Sequence, residues 1–304
     1  MLQGKGGSIF QCGREITSQE FDEIRETVQL FPSLSRSELA ATICEHLEWL
    51  SASGRYKMDA CMKLLEKLEA KGFVRLPEKR KEYQGKRSQK PISLTHRTEP
   101  RPDIICKLKE LGSVRVEVVN DQKWSGLWNE YVLRYHYLGY KRPFGYFQRY
   151  FVVSDRGLLG CLMFAGASKA LKVRDEWIGW TEKQRLNNLA WVINNTRFLI
   201  FPWVRVKNLA SHILGKVARR VKDDWLELWG YEPVLLETFV DPQYYYGSCY
   251  KAANWEYLGM TTGEGLVRKG KTYTTTPKMI FIKSLVKDCR SLLCSEQLKG
   301  RVEE

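Results

Sequence analysis

The sequence predicts a mixed α/β protein in two parts, a small helical head and a larger body of alternating strands and helices. Residues 1–76 carry two helix-opening motifs followed by apolar residues at helical spacing. Residues 77–112, PEKRKEYQGKRSQKPISLTHRTEPRPDIICKLKELG, are dominated by lysine, arginine and proline, and no apolar period survives in them. From residue 113 to 304, period-two runs alternate with amphipathic ones, the pattern of a mixed sheet covered by helices.

In the head, TSQE (Thr17 to Glu20) and SRSE (Ser35 to Glu38) are capping boxes, each opening a helix. Leu39, Ile43, Leu47 and Leu50 continue the second helix as one apolar stripe. A third helix is expected over about residues 57–70, with Met58, Cys61, Leu64, Leu65 and Leu68 inward and Gly72 as its stop. FVRLP then reads as a short strand, and three helices with a strand match a winged-helix plan. Lys63, Lys67 and Lys71 recur every four residues, with Lys57 and Arg75 at the flanks, so one helical face is set to meet phosphates. The competing reading is an ordinary solvated face, offset by Glu66 and Glu69.

The body begins with the strand SVRVEVV. An amphipathic helix follows in WSGLWNEYVLRYHYLG, with Trp124, Leu127, Trp128, Tyr131 and Tyr135 on one side. YFQRYFVVSDRGLLGCLMF is two strands about an Asp-Arg-Gly turn. RFLIFPWV is a further strand. NLASHILGKVARRVKDDWLELWG reads as one long helix from Asn208 to Gly230, and PVLLETFV as the next strand.

The chain of 304 residues carries 49 Lys and Arg against 35 Asp and Glu, a formal net charge of +14. Such an excess favours polyanions, nucleic acid before an anionic membrane surface. No run approaches a membrane span, and MLQGKGGSIFQ has no apolar core of a signal peptide, so a cytoplasmic protein without membrane attachment is expected. The eight cysteines form no C-x-x-C pair, and Cys289 and Cys294 have no histidine near them, which fits reduced thiols rather than zinc.

Strand, helix, hairpin, strand, long helix, strand and short helix is an order similar to that of GNAT acyltransferases. VRVKNLASHIL resembles their phosphate-binding loop, with Arg205 at its first position and Ala210 at its last. That resemblance implies that the backbone of Asn208, Leu209, Ala210 and Ser211 faces a pyrophosphate at a helix N-terminus. Asn208 replaces a glycine of the pattern and its side chain fills space the phosphate needs, so tight acetyl-CoA binding is not expected. Tyr250 matches the tyrosine that in those enzymes protonates the departing thiolate; packing with its hydroxyl bonded to backbone is the alternative.

Along the whole chain, YHYLGY, RDEWIGW, NTRFLIFPWVRVKNLAS, DDW, ETFVDPQYYYGSCYKAANWEYLG and TTGEG together resemble the DruA family. The resemblance implies a part in a Druantia anti-phage defence system or, through related domains that accompany transposases, in mobile-element biology. DNA is then the expected partner, alongside other defence or transposition proteins.

Three further candidates stand on residue chemistry. Glu237 and Asp241, four apart on one strand, would share a face and could hold a divalent metal for phosphodiester cleavage; the alternative is a turn cap and an arginine partner. Arg174, Trp177 and Trp180 would combine charge with ring faces for stacking a base. His136 is a candidate general base or a structural histidine. Glu237, Asp241 and Tyr250 are expected to line one cleft, faced by Arg205 and Asn208 from the neighbouring strand. Three functions remain open at this stage: a DNA-binding or DNA-processing protein, an acetyl-CoA-dependent acyltransferase, and a metal-dependent nuclease.

Overall fold

Two capping boxes form as the sequence requires, and they fix the start of the head. In the computed structural model, which describes residues 9–78, 91–143, 145–263, 276–296 and 298, the side chain of Thr17 accepts from the Glu20 amide and that of Ser35 from the Glu38 amide. A hairpin of β1 (Ile9–Gln11) and β2 (Arg14–Ile16) precedes the helices α1 (Ser18–Leu30), α2 (Arg36–His46) and α3 (Met58–Ala70). Ile24, Ile43, Cys61, Leu64 and Leu65 form the centre of a separate apolar cluster beneath them.

Two expectations for the head need correction. The second helix stops at His46, because Glu48 takes a left-handed φ of 47° and Leu50 turns away to bridge Tyr56. FVRLP forms no strand. Its polar backbone is taken up by side chains instead: the Leu76 amide donates to Glu69 and the Pro77 carbonyl accepts from Arg36.

The basic stretch divides. Residues 79–90 lie outside the described residues, while 91–112 are fastened to the body rather than left as a tether. Glu130, buried, accepts from the amide and hydroxyl of Thr95 and from the hydroxyl of Thr98. Tyr135 donates to the Thr98 carbonyl at 2.7 Å. Further on, β3 (Ile104–Ile105) forms a two-residue parallel ladder with the later strand β8 (Val204–Arg205).

The body is a seven-stranded mixed sheet. Its strands are β4 (Arg115–Val118), β5 (Phe147–Ser154), β6 (Gly157–Gly166), β7 (Val192–Ile200), β9 (Leu235–Val240), β10 (Glu256–Met260) and β11 (Met279–Ser284), in the spatial order β10-β11-β9-β7-β6-β5-β4. Connections carry α4 (Gln122–Tyr135), α5 (Lys172–Ile178), α6 (Glu182–Asn188), α7 (Leu209–Ala218), α8 (Val221–Trp229), α9 (Ser248–Ala252) and, at the end, α10 (Cys289–Leu293). All neighbours run antiparallel except β7 and β9. That one parallel pair sits mid-sheet and is short. It runs from Val192 opposite Leu235 to Asn194 opposite Glu237, after which the strands part. This is the mixed α/β architecture expected, with a crevice at the carboxyl ends of two parallel strands.

The long helix expected over 208–230 is two helices, broken at Arg219 and Arg220. Arg220 reaches forward to both oxygens of Asp224, at 2.7 and 2.8 Å, and also donates to the Val116 carbonyl on β4. Its side chain thereby ties the break to the sheet edge. Gly230 ends α8 in the left-handed region, as its position in the sequence indicates.

Gly247 opens α9 at a φ of +68°, and a Cβ there would lie 2.4 Å from the ring of Phe281. Gly54 has a similar φ of +70° but open space around it. Gly54→Ala should therefore cost only the backbone strain, about 1–2 kcal/mol. Gly247→Ala should cost clearly more in urea denaturation; equal losses would show that Phe281 yields freely.

Candidate functional site

Successive residues of β9 point to opposite faces of the sheet, and this separates the expected cleft into two unrelated clusters. On one face Glu237, fully buried, accepts from Arg174 at 2.8 Å, from the Ser168 amide at 2.9 Å and from Asn194 at 3.2 Å. Arg174 is equally buried, on α5 rather than in a loop. It also bonds Asp175 and the Ser168 carbonyl, and Trp180 lies 5.5 Å from its guanidinium. Neither Arg174 nor Trp180 is therefore open to a nucleic acid. Trp177 is half-buried, donates to Glu256 at 3.2 Å and carries Arg290 over its ring.

On the other face Thr238 donates to the Asn195 carbonyl at 3.0 Å, and Tyr250 donates to the Asn195 side-chain oxygen at 2.8 Å. The Tyr250 ring is buried, stacked on Phe281 and edge-on to Trp255. Burial pushes its phenol pKa up, so the proton stays on the hydroxyl. Tyr250 and Glu237 thus lie on opposite faces, and the single cleft expected of them does not form. Asp241, nearly buried, is engaged separately, 3.8 Å from the Lys278 ammonium. The two carboxylates expected to share a metal answer to different cations, and among the described residues no three His, Cys, Asp or Glu side chains converge on one point.

The loop before α7 turns as a glycine would. Asn208 adopts a left-handed φ of 64°, which asparagine tolerates, and its side chain makes no capping bond. Leu209 is buried, Ala210 is half-buried, and Ser211 donates to the Asn208 carbonyl at 3.1 Å. Arg205 points away, exposed, with its guanidinium 3.7 Å from Asp103. A groove of about 870 Å³ follows α7 past Asn208, Ser211, His212 and Arg219 to Asn254 and Lys283, and Arg205 does not line it. With Arg205 turned away and the Tyr250 hydroxyl already engaged, these residues do not fit the acyl-transfer roles that the resemblance implies.

His136 lies at the C-terminus of α4, its ring stacked on Tyr137 at 4.9 Å. Beyond it the parted strands bring together residues that the sequence reading passed over. Arg197, on β7, donates to the Gly139 carbonyl at 2.9 Å. Tyr244 and Tyr245, in the turn after Asp241, lie 4.9 and 5.8 Å from the Tyr137 ring. The signal was present in QYYYG: three successive aromatics after a proline cannot all be buried by one turn.

The lysine face is open. Lys63 and Lys67 are exposed on α3, Lys71 is exposed at its C-cap, and Arg75 is exposed beyond. Glu69, which the sequence sets against them, is drawn instead to Arg36, with two hydrogen bonds of 3.1 Å. Lys57 does not belong to this face; it is half-buried, and desolvation lowers its pKa.

Two outcomes follow from these placements. Glu237→Gln should lower stability by about 2 kcal/mol, because it removes one of the two carboxylates that oppose the buried Arg174 and weakens a charged hydrogen bond there; an unchanged urea midpoint would remove Glu237 from the structural frame. The His136 pKa is pushed down to about 4 from an ordinary 6.5, first by burial and then by the Arg197 charge. The unfolded chain binds that proton more readily, so the histidine stabilises the fold fully above pH 6.5 and that contribution is lost as pH falls through 4. NMR should find the imidazole neutral at pH 6, and His136→Gln should flatten the decline in stability across this window.

The family model of Druantia protein DruA matches residues 67–293, more than half of the chain. No curated protein matches. Among solved structures, an aminoglycoside acetyltransferase AAC(6')-Ib in complex with coenzyme A and kanamycin is similar at 14% identity and a TM-score of 0.37, over 57% of this chain and 95% of that one. FeeM, an N-acyl amino acid synthase from uncultured soil microbes, is similar at 12% identity and a TM-score of 0.33, over 57% of this chain and 90% of that one. A GNAT family acetyltransferase from Bacillus cereus is similar at 11% identity and a TM-score of 0.31, over 58% of this chain and 100% of that one.

Proposed function

The chain belongs to the DruA family, and from that premise we propose that it is a DNA-binding component of a Druantia-type anti-phage defence system, acting in the cytoplasm with partner proteins of that system. The head, residues 1–76, is the proposed winged-helix-like reader of the duplex backbone. Residues 77–112 add basic contacts, and the body from residue 113 onward carries the remaining surface.

The observation that supports this best is the α3 face. Lys63 and Lys67 project from one side of α3 and Lys71 from its C-cap, and among the described residues no ion pair joins them to a carboxylate. Three cations held about a helical turn apart, with one of their two expected counter-charges, Glu69, drawn off to Arg36, suit a phosphate backbone better than water alone. An acyltransferase needs an available acid where Tyr250 is already bonded to Asn195. A two-carboxylate nuclease needs Glu237, which Arg174, Ser168 and Asn194 already occupy.

Duplex affinity should fall linearly in log–log form with salt, and Lys63→Ala, Lys67→Ala and Lys71→Ala together should flatten that slope by about 2.7, roughly 0.9 for each phosphate that the helix no longer neutralises. Anisotropy titrations across a salt series measure it. An unchanged slope would take α3 out of the interface and leave the positive charge as solvation.

A further inference from the structure

Where β7 and β9 part, the protein exposes more aromatic surface than its own folding requires. Tyr246 is 83% exposed, Tyr244 60% and Tyr245 55%. Tyr137 stands against the second and third of these, 39% exposed itself, with Leu138 beside it. The Tyr137, Tyr244 and Tyr245 rings lie against one another, and Tyr246 follows them in the chain with its side chain exposed; together they form a patch of the kind that marks a binding surface.

The charges around the patch narrow the partner. In segments 136–142 and 241–246 the exposed charged side chains are Lys141 and Arg142, both cationic. The acid of this region, Asp241, is buried and lies by Lys278, and its charge adds to the effect of burial in raising the Tyr137 phenol pKa. Beneath the 136–139 turn, Arg197 donates only to carbonyls, of Gly139 and Thr196, and among the described residues no carboxylate pairs with it. Ring faces with a cationic rim and a withdrawn acid complement a polyanion that offers flat apolar surfaces of its own. Unpaired nucleobases on a phosphate backbone have both properties. A duplex presents base edges and phosphates, and its base faces are stacked on one another.

We propose that the tyrosine cluster of Tyr137, Tyr244, Tyr245 and Tyr246 is a stacking platform for the unpaired bases of single-stranded DNA, with Lys141 and Arg142 on its phosphates. This deepens the DNA-binding reading above and rests on it, but it uses a different surface. The Tyr137, Tyr244 and Tyr245 rings already lie 4.9 to 6.4 Å apart and are arranged to accept bases against them with little loss of side-chain freedom. Stacking tolerates any base, because each has a π face, so the platform reads exposure of the strand rather than its sequence.

The test titrates the full chain, at one salt concentration, with a labelled deoxyoligonucleotide, the same strand carrying abasic residues, the same sequence as RNA, and the DNA duplex. The single strand should bind more tightly than its abasic form. Tyr244→Ala and Tyr245→Ala should each weaken it by roughly 5-fold to 150-fold, the range for losing one stacked base. Tyr244→Phe and Tyr245→Phe keep the ring and should bind as the wild type does, which separates stacking from a fold defect; Tyr246→Ala, at the most exposed ring, adds a variant that folding does not need. Alanine variants that bind the single strand as the wild type does, abasic DNA held as tightly as intact DNA, or a preference for RNA would each overturn the proposal. The duplex arm with the triple lysine variant reports on the α3 reading by itself. Loss there with no effect of the tyrosines would leave DNA binding standing without this platform, and the converse would leave the platform standing without α3.

Discussion

The parting of β7 from β9 governs most of what surrounds it. A parallel ladder that ends after three residue pairs leaves backbone groups on both strands without their regular partners, and buried groups of that kind must be satisfied some other way. Side chains do so. Thr238 supplies the donor for the Asn195 carbonyl, and Asn195 donates its own amide to the Met163 and Arg197 carbonyls. Across the sheet, Asn194 and the Ser168 amide converge on Glu237, with Arg174 opposing its charge. The crevice is thus floored by two polar networks, one per face. Removing Arg174 leaves Glu237 buried without an opposing charge, whereas removing Glu237 leaves Arg174 its Asp175 partner, so the arginine is the more demanding member of the network.

Tyr250 and Arg205 take side-chain roles other than those that the sequence motifs imply. The tyrosine at the acid position is bonded down, and the arginine of the loop faces Asp103 across the surface. The chemical character moves outward, to the turn after Asp241 and to the end of α4. There a neutral imidazole, a half-buried guanidinium and several phenols meet solvent.

Local signals carried the sequence reading furthest. Thr17, Ser35 and Gly230 act within one turn of helix, so their roles do not depend on the rest of the fold, and the helix ends they mark are where they were expected. Arg220 shows the limit of local reading: nothing beside it says that it will reach a sheet edge 104 residues away and break a helix. Glu237 and Tyr250 show another. The alternation along β9 could have told the two faces apart, but only once Thr238 rather than Glu237 was known to meet the tyrosine. The apolar runs supplied the order of elements along the chain but not which strands pair, because strand pairing is non-local. The Glu264 and Gly265 positions of TTGEG lie outside the described residues.

The hairpin at the start of the chain bears on geometry at a larger scale. Its tip glycine, Gly13, is buried so closely against α6 that a Cβ would sit 2.6 Å from the side chain of Leu186. Ser53, between α2 and α3, bonds the hydroxyl of Tyr146 at 2.9 Å. Held at two separated points, the head cannot pivot on a single joint without giving up one of them. The lysines of α3 and the tyrosines at the parted strands therefore belong to one frame, and a strand that touches both must cover a fixed span, as along the marks of a ruler.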